Sequence, residues 1–159
     1  YVGADSAEMT EPVYQALVHA DLVVLCPSNP YLSIDPILSI GGIRKLLRRI
    51  PAPKIAVAPI VGGRALKGPA AKMMLEMGKE VSPRTVANHY ADLLSAFVID
   101  QVDAGELEKM PVPVLVVDTI MTDADSKARL AQTILDYAGI QMIRHRQPLS
   151  GPPALPPAA

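Results

Sequence analysis

The chain has 159 residues, of which 50% are hydrophobic and 19% charged, and its formal net charge is −1. That length suits about one domain with its own core, and the composition argues against a disordered chain. The near-neutral charge argues against a nucleic-acid partner, because a nucleic-acid surface usually carries a strong basic excess.

Two further features narrow the class of protein. No apolar run approaches the roughly 20 residues that span a bilayer, so we expect a cytoplasmic protein without a membrane partner. Cys26 is the only cysteine, which excludes an internal disulfide or a cysteine-rich zinc site. Because it closes an apolar run, Cys26 is expected to be a small buried side chain rather than a nucleophile.

The first third of the chain predicts a helix, a strand and a second helix. Thr10 is placed to cap the first helix, which would continue to Ala20. Residues 22–25 predict a buried strand, stopped by the Pro-Ser-Asn-Pro sequence at 27–30. The second helix would begin at Ser33 or Asp35 and pause at a glycine pair. Its four cations are expected to form a solvated face: Arg44, Lys45, Arg48 and Arg49.

The middle of the chain predicts an anion-binding loop. Residues 55–58 are short, apolar and partly β-branched, which indicates a buried parallel strand. The strand leads into a loop with three glycines and two cations: Gly62, Gly63, Arg64, Lys67 and Gly68. Glycines let backbone N–H groups approach a ligand, and the helix that begins at Ala70 adds partial positive charge. A phosphate is therefore the expected ligand; the alternative is a flexible connection with two solvated cations.

The remaining elements alternate in the same way. A helix from Pro69 to Met77 would bury Met73, Met74 and Met77 and end at Gly78. Another would start at Ser82-Pro83, reach about Leu94 and carry His89 as a partly exposed structural histidine. Strands are expected at 96–100 and 112–117, with an acidic helical connection at 103–108 between them. A last helix would run from about Asp123 to Gly139. The proline-rich residues 147–159 are expected to be disordered.

Four short strands alternating with helices predict a Rossmann-like α/β domain over residues 1–146, with a parallel sheet covered by helices on both faces. Ligands of such sheets bind beyond the carboxyl ends of the strands. Three polar strand exits would meet at that edge: Ser28-Asn29, Gly62-Gly63-Arg64 and Asp118-Thr119.

Cations beside backbone donors suit phosphoryl transfer, in which catalysis is mostly positioning and charge neutralisation. Asp35 and Asp118 are candidate ligands for a magnesium ion shared with substrate phosphates. The alternative is that Asp35 caps a helix and Asp118 begins a turn. Walker A, GxSxG and HExxH patterns are absent from the sequence, which removes the commonest P-loop, α/β-hydrolase and zinc-peptidase interpretations.

Four segments carry a more specific signal: ADLVVLCPSNPYLSIDPIL at 20–38, VAPIVGGRALKGPAAKMM at 57–74, FVID at 97–100 and VDTIM at 117–121. In this order they resemble the 2-phospho-L-lactate transferase family. The resemblance implies an enzyme of deazaflavin coenzyme F(420) biosynthesis. Such an enzyme transfers a phospholactyl or phosphoenolpyruvyl group from a guanosine diphosphate-linked donor to the ribityl hydroxyl of 7,8-didemethyl-8-hydroxy-5-deazariboflavin. It releases GMP and uses magnesium.

Within this interpretation, donor contacts are expected from Ser28, Asn29 and Ser33 and from the loop at 62–68, while the catalytic residue is unassigned. The resemblance covers about 20–138 and corresponds to the C-terminal part of the family, without its glycine-rich first loop and deazaflavin contacts. We therefore expect this chain alone to be inactive. An exposed parallel edge would favour association, so a homodimer is a further expected assembly. Cys26 stands where a small residue such as glycine is expected.

A rival interpretation is a nucleotide-sugar-binding regulatory protein of the same fold, without transfer activity. In that branch the first loop tends to read GPGSLYTS, whereas residues 27–34 here read PSNPYLSI, which favours the transferase. A third alternative is a structural or interaction domain that binds no ligand.

Overall fold

The computed structural model describes residues 2–3 and 6–145, and the side chains of that part up to residue 139. The α-helices are α1 (Glu11–Val18), α2 (Asp35–Ser39), α3 (Ile43–Arg49), α4 (Ala70–Glu76), α5 (Pro83–His89) and α6 (Ala124–His145). The strands are β1 (Val23–Leu25), β2 (Lys54–Val57), β3 (Ile60–Val61), β4 (Arg64–Ala65), β5 (Ala96–Asp100) and β6 (Val114–Val117). A π-helical turn, Pro30–Ile34, follows β1, and a 3-10 helix, Gln101–Lys109, follows β5. We call Pro30–Ile34 the β1 exit turn.

The main sheet has the strand order β1-β2-β5-β6, and every neighbouring pair is parallel. The register aligns Val24 with Ile55, Ala56 with Phe97, and Val98 with Leu115. Because all four strands run in one direction, their carboxyl ends lie at one edge of the sheet. The predicted α/β fold with a parallel sheet is confirmed.

Side chains alternate between two faces of the sheet, as the twofold period of a strand requires. One face, which includes Ala56 and Phe97, packs against residues of α1 to α5. The opposite face, which includes Ile55 and Val98, packs against α6 through Leu130, Ile134 and Ala138. Helices therefore cover both faces, with only α6 on the second face within the described residues.

A small β-hairpin occupies part of the segment predicted as a loop. Strands β3 and β4 pair antiparallel, and the two residues between them, Gly62 and Gly63, have φ of +56° and +71°. A tight hairpin turn with two positive φ angles is one that glycine adopts without steric cost. Arg64, which was predicted to lie in the loop, thus lies in β4.

Two helix boundaries are confirmed by their hydrogen bonds. Ser82 Oγ accepts the N–H of Thr85 at 3.2 Å and caps α5. Gly78 has φ of +66°, and Lys79 N–H donates to Met74 O at 2.8 Å beyond the end of α4, as in a Schellman motif. Thr10 lies at the N-cap position of α1, but its side chain makes no capping hydrogen bond, so that part of the prediction is wrong.

Burial differs from the prediction at Val24, Cys26 and Met77, and Val24, in the strand predicted to be buried, is 41% exposed. Cys26 is exposed, because it follows β1, which pairs with one neighbour only among the described residues. Met74 is fully buried as predicted, whereas Met77 is 44% exposed because α4 ends at Glu76 and the chain turns towards solvent.

The predicted cationic face of α3 is also partly paired. Arg44 and Arg48 both form salt bridges with Asp92, which no local sequence signal indicates.

Two helices end at positions other than those predicted. α5 ends at His89, short of Leu94, and α6 continues past Gly139. The predicted disordered tail, 147–159, lies outside the described residues. None of the described helices combines the length and the apolar composition that a membrane span requires.

Candidate functional site

The ends of β5 and β6 are joined by a buried carboxylate. Asp100, 5% exposed, accepts the N–H and the hydroxyl of Thr119 at 2.8 and 2.9 Å, and the N–H of Val102 at 3.1 Å. Burial by itself would raise the pKa of Asp100, but these hydrogen bonds outweigh burial and hold the pKa below its ordinary value. This network fixes the polar carboxyl edge of the sheet.

A second buried carboxylate holds the hairpin. Both oxygens of Asp103, on the 3-10 helix after β5, accept the N–H of Gly62 at 3.0 and 3.1 Å. The hairpin turn is therefore tied to the end of β5. Because its N–H already has an acceptor, Gly62 has no free backbone donor for a ligand in this conformation.

The hairpin and the segment that follows it carry two exposed cations. Arg64 and Lys67 are exposed and form no salt bridge within the described part of the chain. By contrast, Arg84 pairs with Glu80 and Arg129 pairs with Asp118. Two uncompensated positive charges beside Gly63 and Gly68, both at positive φ, suit an anionic ligand.

The β1 exit turn is capped by Asn29 and precedes α2, which begins at Asp35, one of the two predicted positions. Asn29 Oδ1 accepts the N–H groups of Tyr31 and Leu32 at 3.0 and 3.2 Å. The turn starts before α2 because an asparagine can accept these hydrogen bonds and the fixed φ of Pro30 suits a first helical turn. Ser33 lies exposed within the turn rather than at a helix cap.

Side chains from α4 and its C-terminal end contact this turn. The Asn29 amide donates to Met73 Sδ at 3.5 Å, and the Lys79 ammonium lies 4.8 Å from the centroid of the Tyr31 ring. The structure thus brings the β1 exit turn together with α4, the helix that follows the segment 62–68. Ser28 lies half-buried beside the turn, with its N–H donating to Cys26 O at 2.7 Å.

A cluster that the sequence analysis missed lies next to the turn. His89 Nε2 is 2.8 and 2.9 Å from the two carboxylate oxygens of Asp35, and since an ionised carboxylate can only accept, the nitrogen donates. The His89 ring also meets the rings of Tyr31 and Tyr90 edge-on. Burial raises the pKa of Tyr90, and the charge of Asp35 raises it further, so this phenol is neutral at physiological pH.

The two predicted magnesium ligands have different surroundings. Both oxygens of Asp35 are engaged with His89. Asp118 follows β6, has a side chain 49% exposed, and accepts the N–H of Ile120 at 3.0 Å and a guanidinium hydrogen of Arg129 at 3.3 Å. Among the described residues, no three His, Cys, Asp or Glu side chains form a group that could hold a metal ion.

Comparison with known proteins gives consistent matches. Residues 1–125 match the family model described as 2-phospho-L-lactate transferase CofD. The chain is 41% identical over 133 residues to a 2-phospho-L-lactate transferase of Methanocaldococcus jannaschii, covering 84% of this chain and 42% of that protein. It is 34% identical over 148 residues to a phosphoenolpyruvate transferase of Kitasatospora aureofaciens, covering 91% and 46%. For a phosphoenolpyruvate transferase of Mycolicibacterium smegmatis, identity is 37% over 147 residues, covering 89% and 44%. The chain thus spans less than half the length of these relatives.

Proposed function

The chain belongs to the 2-phospho-L-lactate transferase CofD family, and from that premise we propose that the protein is a transferase of coenzyme F(420) biosynthesis. It would move a phospholactyl or phosphoenolpyruvyl group from a guanosine diphosphate-linked donor to the ribityl hydroxyl of 7,8-didemethyl-8-hydroxy-5-deazariboflavin. The acceptor oxygen forms a bond to the distal phosphorus of the donor, the bond from that phosphorus to the bridging oxygen breaks, and the hydroxyl proton is lost. GMP leaves with the bridging oxygen.

The observation that carries the proposal is the pair of exposed cations after β2 that form no salt bridge within the described residues. Phosphoryl transfer needs neutralisation of negative charge that is spread over phosphate oxygens. Arg64 and Lys67 have no acidic partner among the described residues, so a ligand diphosphate would face no internal competitor. We propose that they bind the donor phosphates, with the segment through Gly68 supplying further backbone contacts.

The β1 exit contributes hydroxyl and amide groups to the same proposed site. Within the described part, the hydroxyls of Ser28 and Ser33 make no hydrogen bond, so both are free to contact the donor. Asn29 shapes the turn through its side-chain oxygen, Oδ1, which accepts the N–H groups of Tyr31 and Leu32. Its amide faces only the sulfur of Met73, a weak acceptor, and a phosphate oxygen or a guanine carbonyl would be a stronger one.

The proposal includes a magnesium ion, for which Asp118 is a better candidate ligand than Asp35. Magnesium bound with substrate phosphates usually takes one or two protein carboxylates and several waters. Asp118 offers a half-exposed carboxylate at the carboxyl end of β6 with one longer contact to Arg129, at 3.3 Å, whereas both oxygens of Asp35 would have to leave His89. Bound there, the metal would neutralise part of the diphosphate charge, in addition to the charges of Arg64 and Lys67.

The test of ligand class is a titration of GDP and of UDP-sugars by calorimetry. It is best done in parallel on the 159-residue chain and on the protein extended to the length of its relatives. The transferase proposal requires preferential binding of GDP by the longer protein. We expect weak or absent binding and no turnover for the 159-residue chain. Preferential UDP-sugar binding would favour the regulatory alternative, and binding of neither nucleotide by the longer protein would favour an interaction domain.

A further inference from the structure

One histidine contacts the β1 exit turn and also the residue that directly follows the turn. His89, the last residue of α5, donates from Nε2 to both oxygens of Asp35, which directly follows the turn. The ring of His89 also meets the ring of Tyr31, the second residue of the turn, with centroids 5.3 Å apart and planes at 67°. A single side chain therefore contacts the second residue of this five-residue segment and the residue that directly follows it.

The histidine packs against the main core. The ring of Tyr90 packs edge-on against His89 at 4.9 Å, and Tyr90 is only 3% exposed as part of the main core. On the turn itself, Lys79 adds a cation–π contact to Tyr31 at 4.8 Å. His89 thus links the β1 exit turn to the main core, because its ring contacts both Tyr31 and Tyr90.

The turn needs such anchors because its backbone is unusual. Ile34 N–H donates to Asn29 O at 3.3 Å, and the N–H of Asp35 donates to Pro30 O, both with the five-residue spacing of a π-helix. π-Helical turns are rare and often occur at functional sites. So short a helical segment is marginal by itself, and two of its residues, Leu32 and Ser33, are exposed.

We propose that His89 is a positioning residue for the donor site: through Asp35 and Tyr31 it fixes the β1 exit turn and, with it, Ser28 and Asn29. This inference rests on the proposed function, in which Ser28 and Asn29 contact the donor. A loop that is already shaped for its ligand loses less conformational freedom on binding. Loss of the anchor should therefore weaken donor binding and leave the chemical step unchanged.

Three substitutions separate the contacts. His89→Phe keeps an aromatic ring and removes the donor, His89→Gln keeps a donor and removes the ring, and Asp35→Asn keeps an accepting oxygen and removes the charge. His19→Gln is the matched control, because His19 is exposed at the C-terminal cap of α1 and, among the described residues, its ring bonds only to Gln15 O of that helix.

Two measurements then decide the role. The first is hydrogen exchange of the Tyr31 and Leu32 amides, which donate to Asn29 and report on the turn without any ligand. The second is the donor KM and kcat of the protein at the length of its relatives. We expect His89→Phe to speed exchange at both amides about tenfold, since one charge-assisted hydrogen bond is lost. We expect it to raise the donor KM about three- to tenfold while kcat stays within about twofold. His89→Gln should show smaller changes, and His19→Gln none.

Unchanged exchange in both His89→Phe and Asp35→Asn would overturn the inference. So would a fall in kcat at unchanged KM, because it would place His89 in contact with the reacting groups. A loss of magnesium dependence in Asp35→Asn alone would identify Asp35 as a metal ligand and overturn its positioning role. If the wild-type protein binds no guanosine nucleotide, the proposed function fails; faster exchange in His89→Phe would still show that His89 holds the turn.

Discussion

The carboxylate of Asp103 accepts the backbone N–H of Gly62 through both of its oxygens, at 3.0 and 3.1 Å. The two residues are 41 positions apart, one on the 3-10 helix after β5 and the other at the turn of the hairpin. Since Arg64 begins the second strand of that hairpin, the place at which its charge is presented depends on Asp103.

Replacement of Asp103 by alanine should release the hairpin turn. The N–H of Gly62 would lose its carboxylate acceptor, at a cost of about 1.5–3 kcal/mol in the free energy of unfolding, the usual contribution of a hydrogen bond to a charged group. Urea unfolding measures this cost, and hydrogen exchange at Gly62 should accelerate in parallel. Glu108→Ala is the control, because Glu108 is exposed on the same 3-10 helix. Equal effects of the two substitutions would contradict the assigned role of Asp103.

The hairpin turn should be sensitive to a side chain at Gly63. A Cβ atom there would meet no atom closer than 3.9 Å, so the cost of Gly63→Ala comes from the backbone at φ of +71°. We expect a loss of about 1–2 kcal/mol, and a smaller loss for Gly63→Asn, because asparagine tolerates this conformation better. Gly105→Ala, where φ is not positive and space is open, should change stability by less than about 0.5 kcal/mol. Thermal unfolding of all three variants checks the order.

Asp100 should make stability dependent on pH. Its pKa is lower in the folded protein than in the unfolded chain, so its contribution is present above the unfolded pKa of about 3.9. That contribution is lost as the pH falls through the folded pKa. Asp100→Asn should cost about 1.5–3 kcal/mol at pH 7, because Val102 or Thr119 would face the amide nitrogen instead of an oxygen. The difference between wild type and variant should shrink below about pH 4. A difference that stays constant from pH 7 to pH 3 would argue against this.

Lys67 should contribute to binding of the donor phosphates. A charge-assisted hydrogen bond is worth about 1.5–3 kcal/mol, so Lys67→Ala should weaken GDP binding by roughly one to two decades. Lys127→Ala is a suitable control, because Lys127 is an exposed lysine on α6. Isothermal titration with GDP compares the two. If Lys67→Ala binds GDP as tightly as the control does, Lys67 is only a solvated cation.

Local signals in the sequence were sufficient for much of the fold. The buried strands β2 and β5 are short apolar runs. Their side chains point alternately to the two covered faces of the sheet, as the twofold period of a strand requires. The cap at Ser82 and the end of α4 at Gly78 depend on neighbours within five residues, so sequence patterns predict them well.

Features that depend on distant partners could not be predicted in this way. β3 and β4 have two residues each, too few to show an alternating pattern, although Gly62-Gly63 was a usable turn signal. Asp35 and His89 are 54 residues apart, and their pairing depends on how α5 packs beside the β1 exit turn. The exposure of Cys26 depends on the position of β1 in the sheet, which the sequence does not specify.

The most direct test of the proposed function is GMP release from the guanosine diphosphate-linked donor in the presence of the deazaflavin acceptor and magnesium. The protein at the length of its relatives should form GMP and the coupled deazaflavin product in equal amounts, and Lys67→Ala should lower kcat/KM for the donor. Tight binding of the donor without GMP release, under conditions in which the acceptor also binds, would contradict a transferase and favour a nucleotide-binding regulatory protein.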